Sequence, residues 1–240
     1  MRAMISCVLV AVAGGAIDSA ELKVRDVRLL GGAAPASDAA EFTYHFQDVG
    51  QVDGTVDDED DTKLDVGPRV GILLTESWGS LGNAGGLLIG LSYSHSQQSS
   101  DEALRSVTAP TYPLLELTGP TEVTVNVFDL HVGWGYAFTS RLHIEAMVFG
   151  GIGSLTMEDE GNYSEGNQRT HGPYKEAGVR FGIVAAVWRS MLIGLEGGYL
   201  VSEGRSALRI DETTTARRAD VVYEVEQSGP IANLSIGFRF

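Results

Sequence analysis

The sequence predicts an all-β protein, an eight-stranded antiparallel up-and-down transmembrane β-barrel. Three observations lead to this prediction. Apolar and polar residues alternate with a period of two through most of the chain after residue 40, which is the spacing of strands with two different faces. Glycine is abundant, at 30 of 240 residues, and many of the glycines fall on the polar face. Short and long connections between these runs follow one another alternately along the chain.

Residues 1–20 are predicted to be a signal peptide. Arg2 precedes a short apolar run, and small residues lead to Ala20, which is the order of features in a secretory signal. Cleavage is expected after Ala20, with Ala16 as the alternative. Residues 21–40 are interpreted as a periplasmic lead-in, although residues 22–30 could form an extra strand. The barrel is assigned to residues 41–240.

Eight alternating runs make up the predicted barrel. In most of them one face carries Val, Leu, Ile and aromatic residues, and the other carries Gly, Ser and charged residues. The predicted strands are, in order, residues 42–46, 66–74, 87–93, 128–136, 142–148, 177–187, 191–199 and 234–240.

The composition of the two faces indicates which one is inside. A water-exposed strand face favours Thr, Lys and Glu over Gly, so the face rich in glycine and charge does not suit a solvent surface. The bulky face is therefore assigned to lipid and the opposite face to a narrow lumen. Glycine on the inward face relieves crowding where eight strands close tightly.

The connections fit the same architecture. Short turns at one end and long loops at the other are typical of outer-membrane barrels, whose long loops lie outside the cell. An even number of strands places both termini in the periplasm. The short connections are residues 76–84, 137–140 and 189–190, and the long ones are residues 50–65, 97–120, 155–173 and 203–228.

Two stretches resemble a known family. Residues 234–240 alternate and end with Phe238 and Phe240 on the apolar face, which is similar to the terminal assembly signal of bacterial outer-membrane barrels. Residues 133–138, followed by a tight turn, resemble a central hairpin of small OmpA-type barrels. The resemblance implies insertion by the barrel assembly machinery into the outer membrane, among its lipid and lipopolysaccharide. It does not extend to a peptidoglycan-binding domain, so a cell-wall anchor is not expected.

The inward face supplies the candidate site. Its charges have both signs, and charges in a low-dielectric lumen should be paired. We expect Glu145 and Glu196 to pair with Arg180 or Arg69. This lumen charge network is interpreted as a plug, with a narrow ion or proton path as the functional alternative. Its predicted members are Arg69, Asp129, Glu145, Glu176, Arg180, Glu196 and Arg239, accompanied by His131 and His143.

Aromatic residues are predicted to mark one membrane interface. Trp78, Trp134 and Trp188 are the only tryptophans, and all three fall at or beside short connections. Amphipathic rings prefer the interface between lipid and water. The three tryptophans are therefore predicted to form a periplasmic girdle.

The sequence gives little support to a metal site or a catalytic site. The carboxylates of residues 57–61 are interpreted as a solvated acidic loop, with calcium binding as the alternative. His95 lies between Ser94 and Ser96, whose side chains leave on the opposite strand face, so no catalytic residue is predicted. The single cysteine, Cys7, excludes a multi-cysteine metal site, and no cofactor or metal is predicted.

The predicted function is a structural or surface-interaction role in the outer membrane, with an unidentified surface ligand. A narrow porin-like channel and a lipid-modifying barrel enzyme are the alternatives. The net charge of −15, from 32 acidic and 17 basic residues, argues against a nucleic-acid partner, because such binding needs a basic surface.

Overall fold

The computed structural model describes ten strands. They are β1 (Leu22–Ala34), β2 (Ala39–Asp48), β3 (Gln51–Val56), β4 (Gly67–Trp78), β5 (Gly86–Ser99), β6 (Thr121–Ala137), β7 (Leu142–Asp159), β8 (Gln168–Trp188), β9 (Met191–Glu212) and β10 (Arg217–Arg239). None of the described residues forms a helix that is long and apolar enough to cross a membrane. The described residues are 22–35, 39–48, 51–56, 64–78, 85–99, 121–159, 168–212 and 217–240.

Eight of the strands close into a ring. The order runs from β1 to β4 and then in sequence to β10, which pairs again with β1, and every pairing is antiparallel. The predicted eight-stranded up-and-down barrel is therefore confirmed. The strands tilt strongly, since a circuit of paired residues that starts at Ala33 returns to β1 at Leu22, near the other end of that strand.

The first strand of the ring is not the predicted one. Residues 22–34 form β1 and pair with both β4 and β10, so their interpretation as a lead-in is wrong and the alternative, a strand at residues 22–30, is correct. The aromatic run at residues 42–46 lies in β2, which pairs with β10 in the register that β1 would reach if it continued. Among the side chains that the structure describes in β1, from residue 25 onward, only Val27 and Leu29 are bulky, apolar and exposed on the outward face. This makes its alternation weaker than that of the aromatic run.

The ring has two different ends. The connections from β4 to β5, β6 to β7 and β8 to β9 lie at one end, with the start of β1 and the end of β10. We call this the turn end and the opposite one the loop end. The predicted loops at residues 155–173 and 203–228 are mostly strand, because β7 to β10 continue towards the loop end. These strands reach 18, 21, 22 and 23 residues, so the wall is tall on this side.

The distribution of side chains is the reverse of that in a water-soluble protein. Large apolar side chains are exposed on the outside, including Phe128 at 66% and Leu195 at 65%. Charged side chains are buried inside, including Arg28 at 0% and Glu196 at 2%. Soluble proteins almost never bury charged groups completely while leaving such large apolar surface exposed. In the predicted runs from residue 66 onward, the outward and inward faces are those predicted from the sequence.

Candidate functional site

The lumen charge network lies inside the ring, on strands that face one another. The six predicted members Arg69, Asp129, Glu145, Glu176, Arg180 and Glu196 point inward, and all but the partly buried Arg69 are buried, as are His131 and His143. Arg239 lies at the turn end, with a side chain that is 25% exposed. The sequence interpretation missed two further members, Asp26 and Arg28, because both belong to β1.

Arg28 occupies the centre of the part of the network nearer the turn end. Its Nη2 donates to Oε2 of Glu145 at 2.7 Å, and its Nη1 donates to Oε1 of Glu196 at 3.2 Å. Nη1 of Arg180 lies 3.4 Å from Oε2 of Glu196. The expected pairing of Glu196 with Arg180 is therefore present. Glu145, however, pairs with Arg28 rather than with Arg180 or Arg69, because β1 brings a guanidinium group closer.

Two contacts extend this cluster towards the turn end. Nε2 of His143 lies 3.0 Å from Oε1 of Glu145. Arg239 donates to both oxygens of Asp26 at 2.9 Å, a bidentate ion pair between β10 and β1. The planar guanidinium group fits a carboxylate in this way, so the pair ties the last strand to the first.

A second cluster surrounds Arg69. This guanidinium group contacts both carboxylate oxygens of Glu176, with Nη1 3.2 Å from Oε2. Its Nη2 donates to Oγ of Ser94 at 2.8 Å and lies 3.9 Å from Oδ2 of Asp129. The hydroxyl of Tyr174 donates to Oε2 of Glu176 at 3.2 Å. Glu176 thus accepts hydrogen bonds from two side chains, Arg69 and Tyr174.

Ser92 links Asp129 to His131. Its hydroxyl donates to Oδ2 of Asp129 at 3.0 Å and lies 2.8 Å from Nε2 of His131. The carboxylate contacts the serine rather than the imidazole, so the three side chains lack the order of a nucleophile, a base and its orienting acid.

The two clusters meet around a small cavity of about 30 Å³. Asp129, His131 and Arg180 line it, and each leaves one buried polar atom without a hydrogen-bond partner: Oδ1, Nδ1 and Nη2, respectively. A cavity of this volume holds one or two water molecules, and these atoms supply the polar contacts that a buried water requires.

Apolar side chains fill the lumen towards the loop end. Phe149, Leu200 and Ile231 form a buried cluster beside the cavity. Further along, the inward residues Val123 and Val125 are also buried. The lumen thus combines a paired ionic region with an apolar layer.

The charge balance of the described lumen residues is close to neutral. Five carboxylates, on Asp26, Asp129, Glu145, Glu176 and Glu196, face the guanidinium groups of Arg28, Arg69, Arg180 and Arg239. Asp26, His143 and Glu145 also place three ligand atoms within 4.8 Å of one another, yet both carboxylates already contact arginines, so a cation there would have to displace them.

The other predicted residues lie as follows. Trp78, Trp134 and Trp188 are at the turn end, and Phe238 and Phe240 point outward there with exposed fractions of 52% and 79%. Their roles as a girdle and as an assembly signal stay predictions. The acidic residues 57–61 and the signal peptide lie outside the described residues.

His95 and its two neighbours lie on opposite faces, as their spacing predicts. Nδ1 of His95 is 3.0 Å from Oδ1 of Asn126. Ser94 and Ser96 are buried on the lumen side. The serine hydroxyls therefore do not meet the imidazole.

Comparisons with known proteins give similarity in structure alone. No protein-family model matches the chain, and no curated protein matches its sequence. The attachment invasion locus protein Ail of Yersinia pestis is 9% identical, with 90% of this chain and 99% of that chain covered and a TM-score of 0.38. The outer membrane protein OprG from Pseudomonas aeruginosa is 12% identical, with coverages of 90% and 95% and a TM-score of 0.44. The outer membrane protease OmpT from Escherichia coli is 7% identical, with coverages of 94% and 100% and a TM-score of 0.38.

Proposed function

We propose that this protein spans the bacterial outer membrane as a barrel with a side-chain-plugged lumen and acts as a structural or surface-interaction protein. An apolar band on its outside supports the spanning arrangement. Outward positions are apolar or glycine along residues 177–187 of β8 and 191–201 of β9. A tilted strand needs about 9–11 residues to cross the hydrocarbon core, so each run has the required length.

The surface beyond this band changes character towards the loop end. Outward side chains there form ion pairs, with Lys175 Nζ 2.9 Å from Glu203 Oε2 and Arg205 Nε 3.1 Å from Glu224 Oε1. Such exposed pairs suit water rather than lipid. The strands β8 to β10 are about twice as long as a bilayer requires, and the wall that they raise into the medium supports a surface-interaction role.

The observation that carries the plugged lumen is the position of Arg28. Its side chain is fully buried and reaches from β1 to carboxylates on β7 and β9. A cross-lumen contact of this kind fills the space that a pore would need. The apolar cluster of Phe149, Leu200 and Ile231 adds a second closed layer.

Single-channel recording of the refolded protein in a planar bilayer tests this function. We expect no stepwise conductance from the natural sequence. The alanine variant of Arg28 should admit ions, because its removal frees space and leaves two carboxylates in the lumen. Arg25→Ala is the matched control, since Arg25 forms an exposed pair with Glu76 outside the lumen. Regular conductance steps from the unchanged protein would contradict the plug.

A narrow channel is the second candidate, and one observation favours it. Polar atoms without partners on Asp129, His131 and Arg180 surround the cavity in the lumen, as expected for a hydrated part of a path. The same recordings distinguish the two candidates. A channel would conduct in the natural sequence and would change its ion selectivity in Asp129→Asn.

A further inference from the structure

Two arginines stand on adjacent turns at the turn end. Arg141 ends the connection from β6 to β7, and Arg189 opens the two-residue turn from β8 to β9. The backbone N–H of Ala186 donates to the carbonyl oxygen of Arg141 at 2.7 Å, so Arg141 is bonded to β8 three residues before Arg189. Both arginine side chains are exposed. We call Arg141 and Arg189 the basic rim.

The basic rim is cationic in a chain that is otherwise strongly acidic. Among the described residues, neither Arg141 nor Arg189 forms an ion pair, and two carboxylates of the turn end pair with other arginines. Glu76 contacts Arg25 at 2.8 Å, and the buried Asp26 contacts Arg239. The connection at residues 79–84 contains no charged residue. The rim thus presents two positive charges to any anion that reaches this end of the barrel.

The backbone at Arg189 supplies an independent observation. Its φ is +37°, in the left-handed region where a side chain is disfavoured and where Gly or Asn is the ordinary choice in a two-residue hairpin turn. Strain of this kind persists where the side chain has a role that outweighs it. What arginine adds at this position is a positive charge, because the turn itself would form more readily with glycine.

Aromatic residues surround the basic rim. Trp188 directly precedes Arg189 and is 74% exposed, and Phe138, three residues before Arg141, is 60% exposed. Aromatic rings of this kind lie at the level of lipid headgroups. A guanidinium group next to them meets the phosphates, which it binds through two parallel hydrogen bonds.

We propose that the basic rim binds the phosphate groups of anionic phospholipids in the periplasmic leaflet of the outer membrane. This inference rests on the proposed function, which places the turn end in that leaflet. The occupant is a phospholipid rather than a soluble anion, because the arginines lie beside exposed aromatic side chains that continue the apolar band. The rim would anchor the barrel at a fixed depth and enrich anionic lipid around β7 to β9.

Tryptophan quenching by brominated lipids tests the proposal directly, because Trp78, Trp134 and Trp188 all lie at the turn end. The refolded full-length mature chain is inserted into phosphatidylcholine vesicles with brominated phosphatidylglycerol or brominated phosphatidylcholine at equal mole fraction. We expect stronger quenching by phosphatidylglycerol at low salt. Each arginine near an anionic surface should change the relative association constant about fivefold, so Arg141→Gln with Arg189→Gln should abolish the preference.

Three further measurements complete the test. The variant Arg25→Gln with Glu76→Gln is the matched control, since it alters the same end without changing the net charge, and it should keep the preference. High salt should reduce the preference of the unchanged protein. Arg189→Gly should keep or raise stability, because it relieves the turn, while it weakens the preference about fivefold. If Arg189 had only a structural role, Arg189→Gly would lower the stability of the barrel.

The outcomes separate this inference from the proposed function. Insertion is checked first by heat-modifiable migration on a gel, and failure of the unchanged protein to insert would contradict the membrane barrel itself. Equal quenching by the two lipids in an inserted barrel would overturn the basic rim alone, as would a preference that persists in the variant lacking both arginines. If that double variant does not fold, Arg189→Gly and the salt dependence decide.

Discussion

Replacing Arg28 should be among the most damaging single changes to this barrel. Its side chain is 0% exposed and forms ion pairs of 2.7 Å with Glu145 and 3.2 Å with Glu196. Arg28→Met keeps much of the side-chain length but removes the guanidinium group that pairs with the buried carboxylates of Glu145 and Glu196. Removing one partner of a buried ion pair costs about 3–5 kcal/mol, because the remaining charge is uncompensated. We expect a loss of that order in the free energy of unfolding.

A double-mutant cycle shows whether the loss comes from the ion pair. Glu196→Gln alone should cost less than Arg28→Met, because Arg28 keeps Glu145. The loss of unfolding free energy in the double variant should be smaller than the sum of the two single losses by about 1–3 kcal/mol. Urea titration of the vesicle-inserted protein, followed by tryptophan emission, measures each free energy.

The chain offers a matched control for this cycle. Arg25 and Glu76 lie 2.8 Å apart, closer than the 3.2 Å between Arg28 and Glu196, but their side chains are 71% and 36% exposed. Their coupling should stay below about 1 kcal/mol, because water screens exposed pairs. If Arg28→Met cost less than about 1 kcal/mol, or if its coupling with Glu196 were no larger than that of the exposed pair, the reasoning about a dry, paired lumen would be refuted.

Three further changes test other parts of the architecture. Ile183→Arg, on the outward side of β8, should destabilise the inserted barrel by about 2–4 kcal/mol in the same urea titration if this side faces lipid. A spin label there that proved accessible to water but not to lipid would invert the assignment of faces. Deletion of Phe240 should lower the amount of assembled barrel in outer-membrane fractions without reducing secretion, and normal assembly would contradict the terminal signal. Gly198→Ala should cost about 1–3 kcal/mol of unfolding free energy, because its Cβ would lie 2.2 Å from the carbonyl oxygen of Val179. Gly31→Ala is the control and should be nearly neutral, because its Cβ would have nothing within 4 Å. Equal effects of the two substitutions would contradict the strand register.

The sequence alone predicts the faces of the barrel strands well. Alternation with a period of two is a local property, so the inward positions of Glu145, Arg180 and Glu196 follow from their neighbours in the chain. The parity of the connections requires an even number of strands, and the count of eight is correct although its first member is β1 rather than the run at residues 42–46. Neither inference requires knowledge of which strands are adjacent.

The partners inside the lumen could not be predicted in the same way. Arg28 meets Glu145 and Glu196 because β1 closes the ring, and β1 is held by pairing along both edges rather than by a strong apolar face of its own. The sequence did contain one signal for an inward face in β1. Asp26 and Arg28 carry opposite charges two residues apart, on either side of the outward Val27. The positive φ of Arg189 could not be predicted from the alternation of apolar and polar residues, because it depends on the local geometry of the turn.

The ladder between β1 and β10 has a consequence for the order of folding. It contains eight paired residues, from Asp26 with Arg239 to Ala33 with Ala232, whereas the ladder between β9 and β10 contains 22. Its ends are the two most distant segments of the barrel sequence, with Asp26 and Arg239 separated by 213 residues. Contacts of such high contact order form slowly, since the entropy of closing the chain must be overcome before they form. Closure of the ring is therefore expected to be the last and slowest step, and until then β1 and β10 present open edges that a chaperone or insertion machine must cover.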